Sequence, residues 1–184
     1  MPKTYVITGP SGVGKTTIAL ELERRRPSLK KVITSTTRPP RPGEADGVDY
    51  HFLDAATFKR LAEEGKMFES AFHYGNDYGS RMEDVTALTE KGFDVLFVVD
   101  VVGARSIKRD HPEAVTIFVD VESTDELVAR MEARDNGATE GRAERISAVE
   151  RERAYGAECD VRVINAEGRL DAAVATIDKI MENR

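Results

Sequence analysis

The chain has 184 residues, of which 40% are hydrophobic and 33% are charged, and its formal net charge is −6. These values favour one globular domain and argue against broad binding to nucleic acid or to anionic membranes. No apolar run approaches a membrane span, and residues 1–3 lead directly into a predicted strand, so we expect no signal peptide. The single cysteine, Cys159, excludes an internal disulfide, and we expect a cytoplasmic protein.

The first elements are a strand, a glycine-rich loop and a helix. Residues 3–8 form an apolar, β-branched run that predicts a buried strand, and residues 16–26 predict a helix. Between them lies a match to the phosphate-binding pattern G-x-x-x-x-G-K-[ST], namely Gly9, Pro10, Ser11, Gly12, Val13, Gly14, Lys15, Thr16 and Thr17. Backbone N–H groups and a helix N-terminus meet at such a P-loop, and both attract phosphate. We expect Lys15 to reach the β and γ phosphates of a nucleotide and the Thr16 hydroxyl to bind Mg²⁺.

The middle of the chain continues the alternation of strands and helices. Residues 31–37 predict a strand, and residues 38–49, with three prolines and two glycines, predict a loop. The following patterns predict an extended segment at 50–53, a helix from the cap Asp54 to 64, a strand at 67–74, a turn at 75–77, a helix at 81–91 and a very apolar strand at 93–99.

The last third of the chain predicts two more strands and three helices. Strands are expected at 115–119 and 161–164, and helices from the capping box Ser123-x-x-Glu126 to 134, from beyond a loop at 135–141 to about 157, and at 171–182. This order predicts an α/β fold with a mostly parallel central sheet covered by helices on both faces. Ligands of such sheets bind beyond the carboxyl ends of the strands, where the P-loop lies.

Two arginines in the proline-rich loop form a candidate anion clamp. Arg38 and Arg41 lie three residues apart beside Pro39, Pro40 and Pro42. The planar guanidinium donates two parallel hydrogen bonds to a phosphate, and prolines reduce the entropy that the loop loses on binding. The alternative interpretation is a solvated, charged surface loop.

The chain resembles the guanylate kinase family over nearly its whole length. The resemblance rests on GPSGVGKTT at 9–17, on STTRPPRPGE and DGVDY between 35 and 50, on GNDYGS at 75–80, and on Glu69, Asp100, Arg130, Arg134, Arg145 and Asn165. The P-loop alone indicates only a superfamily, whereas the combination is specific. The resemblance implies a P-loop kinase that transfers the γ-phosphoryl group of ATP to GMP or dGMP, giving ADP and GDP, with Mg²⁺.

The resemblance also implies three regions within a single domain of residues 1–184. They are a core at 1–35, 82–130 and 146–184, a GMP-binding segment at 36–81, and a lid at 131–145. GMP would contact Ser35, Arg38, Arg41, Glu44, Tyr50, Glu69, Tyr78, Ser80 and Asp100, with Ser35 and Glu69 reading the guanine edge. ATP would contact the P-loop, Arg130 and Asn165, the last at the adenine. Lys15, Arg41, Arg134 and Arg145 would stabilise the transferring phosphoryl group.

Some positions depart from the family pattern around ATP and the metal ion. Val98 stands where the family usually has an acidic residue, Val102 where it has glutamine, and Asp135 where the lid has glycine. Ala166-Glu167 replaces an Asp-Asp pair. These changes put the arrangement around Mg²⁺ and ATP in question and leave the GMP loop intact.

Two alternatives to a guanylate kinase remain at this stage. One is a catalytically inactive guanylate-kinase-like module that binds phosphopeptides, against which the intact Lys15 and Thr16 argue. The other is a kinase for a different nucleoside monophosphate, against which Ser35 and Glu69 argue. Neither reading involves nucleic acid or a membrane, and no oligomeric state is indicated. Phosphoryl transfer needs no protein nucleophile, and His51, His73 and His111 are expected to be structural or solvated.

Overall fold

A computed structural model describes residues 1–73, 75–134 and 142–183. In chain order the elements are β1 (Thr4–Thr8), α1 (Lys15–Arg25), β2 (Leu29–Lys31), β3 (Ser35–Thr36), β4 (His51–Phe52), α2 (Ala55–Glu63), β5 (Met67–His73), β6 (Asn76–Arg81), α3 (Met82–Thr89), β7 (Asp94–Val98), α4 (Val101–Asp110), β8 (Val115–Asp120), α5 (Thr124–Arg134), α6 (Arg142–Gly156), β9 (Val161–Ile164) and α7 (Leu170–Glu182). None of the helices described is long and apolar enough to cross a membrane. The predicted loop at 135–141 lies outside these residues.

The central sheet has five strands in the order β2-β7-β1-β8-β9, and all its pairs are parallel. Because alternate side chains of a strand point to opposite faces, β1 contributes to two cores. Tyr5 and Ile7 pack with residues of α1 and α7, whereas Val6 packs with residues of α3 and α4. The predicted parallel sheet with helices on both faces is therefore confirmed, and the run at 93–99 forms the interior strand β7.

The predicted strand at 31–37 is wrong as a single element. The chain pairs with β7 as β2, leaves the central sheet after Val32, whose N–H donates to Leu96 O at 2.9 Å, and enters a second sheet as β3. Thr34, Ser35 and Thr36 are all buried, so no alternating pattern marks the change of sheet. The β-branched residues favour extended backbone whichever strand they pair with, which explains the error.

The second sheet has four strands in the order β4-β3-β6-β5, of which only the β3–β4 pair is parallel. The predicted turn at 75–77 is too long, because β6 already begins at Asn76 and forms a hairpin with β5.

The sequence patterns did not predict helix α4. It begins with Val101, Val102 and Gly103, which are poor helix formers, and its cap Asp100 supplies the stabilisation that local propensity lacks.

Candidate active site

The P-loop connects β1 to α1, and its three glycines all have positive φ, which favours glycine. Gly9 has φ +137°, and a Cβ there would lie 2.1 Å from Val119 O. Gly14 caps α1 with φ +91°. Lys15 Nζ donates to Gly9 O at 2.5 Å and to Pro10 O at 2.9 Å. The lysine thus folds back over its own loop, at the place where phosphates are expected.

Two predicted ATP-side residues lie beside this loop. Asn165 is buried, and its Nδ2 donates to Val13 O at 2.8 Å. Arg130 Nη2 donates to Asn165 O at 3.1 Å and pairs with Glu126 Oε1 at 2.5 Å. These contacts brace the P-loop from the carboxyl end of β9, whereas the contact of Asn165 with adenine stays a prediction.

The structure describes the surroundings of the predicted metal and lid residues only in part. Thr16 is exposed in the first turn of α1, directly after Lys15. Arg134 ends α5 and Arg145 lies in the first turn of α6, but both side chains lie outside the description. Most of the predicted lid, including Asp135, belongs to residues 135–141 and is likewise outside it.

The arginine loop is held together by Glu44. Its Oε1 accepts from Arg38 Nη2 at 2.9 Å, and its Oε2 accepts from the backbone N–H of Arg41 at 2.7 Å. The Arg38 guanidinium lies 5.4 Å from the centre of the Tyr50 ring, and the Tyr78 ring meets Tyr50 edge-on at 6.4 Å. Burial, followed by the neighbouring Tyr78, raises the pKa of Tyr50, so its hydroxyl remains a donor. The structure therefore gathers Arg38, Tyr50 and Tyr78, while the Arg41 side chain is exposed.

Two buried polar residues, Glu69 on β5 and Ser80 on β6, face each other where these strands pair. Glu69 is 5% exposed, and its Oε1 accepts from Ser80 Oγ at 2.9 Å. Burial raises the pKa of Glu69 to about 7, with the Ser80 hydrogen bond opposing and the charge of Asp100 adding to the shift. Ser35 Oγ is buried and has no hydrogen-bond partner among the described residues. Ser35 pairs with Gly79, the neighbour of Ser80 on β6, so its side chain lies on the opposite face of this sheet from Glu69 and Ser80. The contact of Ser35 with the guanine edge therefore stays a prediction.

Asp100 connects this group to the core. As the cap of α4, its Oδ1 accepts from Val102 N at 2.9 Å and Gly103 N at 2.8 Å. A Cβ on Gly103 would lie 3.1 Å from Glu69 Oε2, so the bare glycine lets α4 approach the buried carboxylate. Val102 therefore stands at an exposed helix position, and its replacement of glutamine leaves the cap in place.

His73 and Glu152 form a part of the site that no sequence pattern indicated. His73 Nδ1 lies 3.8 Å from Asp100 Oδ2, and His73 Nε2 lies 3.8 Å from Glu152 Oε1. Glu152 is 6% exposed on α6, and its charge interacts with that of Lys15. The two residues are 79 positions apart, so only the fold brings them together. The other two histidines have structural contacts, His51 with Arg81 at 2.7 Å and His111 in a stack with Phe68 at 4.3 Å.

A P-loop after the first strand of a parallel sheet, facing a second small sheet with an anion clamp, defines a P-loop kinase. The fold is shared with shikimate kinase from Aquifex aeolicus, with a TM-score of 0.52 at 16% identity over 98% of this chain and 96% of that one. More specifically, the family model for guanylate kinase matches residues 1–184, and the chain belongs to the guanylate kinase family.

Relatives and a solved structure agree with this assignment. The guanylate kinase of Thermobifida fusca is 42% identical over 160 residues, which cover 87% of this chain and 82% of that protein. The guanylate kinase of Mycobacterium tuberculosis is 38% identical over 97% of this chain and 86% of that protein. The crystal structure of guanylate kinase from Anaplasma phagocytophilum has a TM-score of 0.81 at 26% identity and covers 99% of this chain and 85% of that chain.

Proposed function

We propose that this protein is an ATP-dependent guanylate kinase that transfers the γ-phosphoryl group of ATP to GMP or dGMP, giving ADP and GDP. One observation carries the choice of guanine, namely the buried carboxylate of Glu69, which accepts a hydrogen bond from Ser80 Oγ. It adds a base-reading site to the arginine clamp and the P-loop. The inactive phosphopeptide-binding alternative has no supporting observation.

The buried carboxylate selects guanine by its hydrogen-bonding capacity. Ionised Glu69 accepts hydrogen bonds and has no proton to donate. Guanine presents two donors, N1–H and N2–H₂, on one edge, whereas adenine lacks that pair and would leave the buried charge unpaired. Ser80 already donates to Oε1 and so fixes the orientation of the carboxylate.

The phosphate of GMP would bind at the loop ordered by Glu44. Arg38, Arg41, Tyr50 and Tyr78 supply donors for a dianion, and Glu44 already fixes the backbone of this loop. Holding the acceptor oxygen in line with the γ-phosphate makes the transfer effectively unimolecular, because the two reacting groups are already oriented. Arg41, whose side chain is exposed, reaches the phosphate only as the segment closes.

The ATP phosphates would occupy the P-loop. Lys15 then leaves the carbonyls of Gly9 and Pro10 and binds the β and γ phosphates, where its charge stabilises the transition state. Among the described residues no group of three or more His, Cys, Asp or Glu is arranged to hold a metal ion. The exposed hydroxyl of Thr16 fits a Mg²⁺ ion held mainly by nucleotide phosphates. Bound Mg²⁺ would neutralise charge on those phosphates.

Three regions of one domain would cooperate. The core at 1–35, 82–130 and 146–184 holds ATP, the segment at 36–81 holds GMP, and the lid at 131–145 brings Arg134 and Arg145 over the transferring group. Closure keeps water from the γ-phosphate, since otherwise ATP would be hydrolysed. We propose that the protein acts in the cytoplasm on small nucleotides alone, without nucleic acid or membrane.

Turnover of five acceptors with ATP and Mg²⁺ tests this function. The acceptors are GMP, dGMP, AMP, CMP and UMP, and the readout is ADP release. We expect kcat/KM for GMP to exceed that for AMP at least about 100-fold, because a site built to pair a donor edge rejects a base that lacks it. A preference for another acceptor would identify a different monophosphate kinase. Tight GMP binding without turnover would favour a binding module.

A further inference from the structure

His73 joins the second sheet to two helices of the core. It ends β5, whereas Asp100 caps α4 and Glu152 lies on α6. Its two ring nitrogens face different carboxylates, each at 3.8 Å. The ring therefore lies at the junction between the strand that carries Glu69 and the helices α4 and α6.

The neutral His73 ring has fewer N–H donors than there are carboxylates facing it. A neutral imidazole has one N–H donor and one acceptor, so one of the two carboxylates faces a lone pair. The Glu152 side chain is 8% exposed, so its charge is largely removed from water, and the His73 ring lies within ion-pair distance of it. A second proton on the ring would give each of the two carboxylates an N–H donor. Hydrogen bonds between charged groups are stronger than those between neutral groups.

The surroundings of the ring oppose that second proton. Burial, more than any charge, lowers the pKa of His73; Asp100 raises it and Lys15 lowers it further. The charged and titratable groups described around the ring are Asp100 from α4, Glu152 from α6 with its neighbour Arg151, Lys15 from α1, and Glu69 on β5 beyond Asp100. Nucleotide phosphates at the P-loop would pair with Lys15 and weaken its repulsion of a charged ring.

We propose that His73 is a positioning residue that takes up a proton when GMP and ATP bind and then donates to both Asp100 and Glu152. The charged ring holds β5, and with it Glu69, against α4 and α6 while both substrates are bound. His73 acts through Asp100 and touches neither substrate. The inference rests on the proposed function, because the nucleotide phosphates supply the negative charge.

Ring-proton NMR of the whole protein tests the proton uptake directly. The chain has three histidines, so His51→Gln and His111→Gln assign His73 without altering it. We expect its apparent pKa to rise by about one unit or more, a tenfold gain in proton affinity, when GMP and a non-hydrolysable ATP analogue are added. Glu152→Gln should abolish most of this rise. Glu150→Gln, at an exposed position of the same helix, is the matched control and should preserve it.

Two NMR outcomes would overturn the inference in different ways. If both nucleotides bind and the His73 titration does not move, the inference fails while the proposed function stands. If GMP does not bind at all, the proposed function fails and the inference fails with it.

Steady-state kinetics of His73→Gln separates positioning from folding. Glutamine keeps one donor group, its NH₂, and one acceptor group, its carbonyl, but cannot take up a proton. We expect KM for GMP to be roughly tenfold higher than in the wild type near pH 6, with a smaller effect on kcat, and the difference to vanish near pH 9. Ionisation of Glu69 is common to both proteins and cancels in the ratio. A KM ratio that is constant over this pH range would overturn the proposal.

Discussion

The P-loop consists of nine consecutive residues, whereas the predicted GMP site draws on three strands and two loops. In the P-loop the backbone binds, and the conformations of Gly9 and Gly14 set its shape. In the GMP site side chains bind, and the pairing of β5 with β6 brings Glu69 and Ser80 together. The difference teaches that a phosphate site can be local, whereas a site that reads a base needs groups from several directions.

The largest expected effect concerns Lys15, the charged side chain of the P-loop. Lys15→Ala should lower kcat by about a thousandfold or more, because the cation at the β and γ phosphates is lost. Lys59→Ala on the exposed face of α2 is the control and should leave kcat unchanged. Circular dichroism would verify that both variants fold. Near-normal kcat in a folded Lys15→Ala protein would contradict the catalytic role of the loop.

The second prediction compares glycines of the two regions. Gly9 and Gly43 both have positive φ, but a Cβ at Gly9 would overlap Val119 O, whereas at Gly43 nothing lies within 4 Å. Gly43→Ala should cost about 1–2 kcal/mol of unfolding free energy from backbone strain alone. Gly9→Ala should cost about 3 kcal/mol or more, since the overlap with backbone adds to the strain. Urea unfolding measures both, and equal costs would contradict the tight packing of the P-loop.

A third prediction uses the pH dependence of stability in the GMP site. The pKa of Glu69 is raised to about 7 from 4.5, so the folded protein binds the extra proton between these values. The stabilisation that the folded protein gains from this proton on Glu69 is therefore fully present below pH 4.5. It is lost as the pH rises through about 7. Relative to Glu69→Gln, the unliganded wild type should lose up to about 3 kcal/mol of unfolding free energy between pH 5 and pH 8. Parallel pH profiles of the two proteins would show that the carboxyl is not buried as described.

The smallest effect concerns base choice at the same residue. Glu69→Gln replaces an acceptor with an amide that presents a donor towards guanine. The preference for GMP over AMP, as the ratio of kcat/KM values, should fall by about 1–3 kcal/mol. Glu63→Gln on α2 is exposed and should leave the ratio unchanged. An unaltered ratio in Glu69→Gln would mean that another group reads the base.

Strand and helix predictions succeeded where hydrophobic patterns were long. The buried run of β7 and the amphipathic α7 follow directly from their patterns. Errors arose where elements are short and polar, as at β3 and β6, or where a single cap stabilises a helix, as at α4. Local preference is weak in such segments, and partners distant in the chain decide their conformation.

The sequence by itself determined the phosphate-binding loop, the arginine clamp and the family, because each depends on consecutive residues whose chemistry is local. Only the tertiary structure decided that Glu69 is buried against Ser80, that Glu44 orders the arginine loop, and that Asn165 braces the P-loop. It alone placed His73 between Asp100 and Glu152. Burial and charge at these residues depend on what packs against them across the fold, and packing is a property of the whole chain.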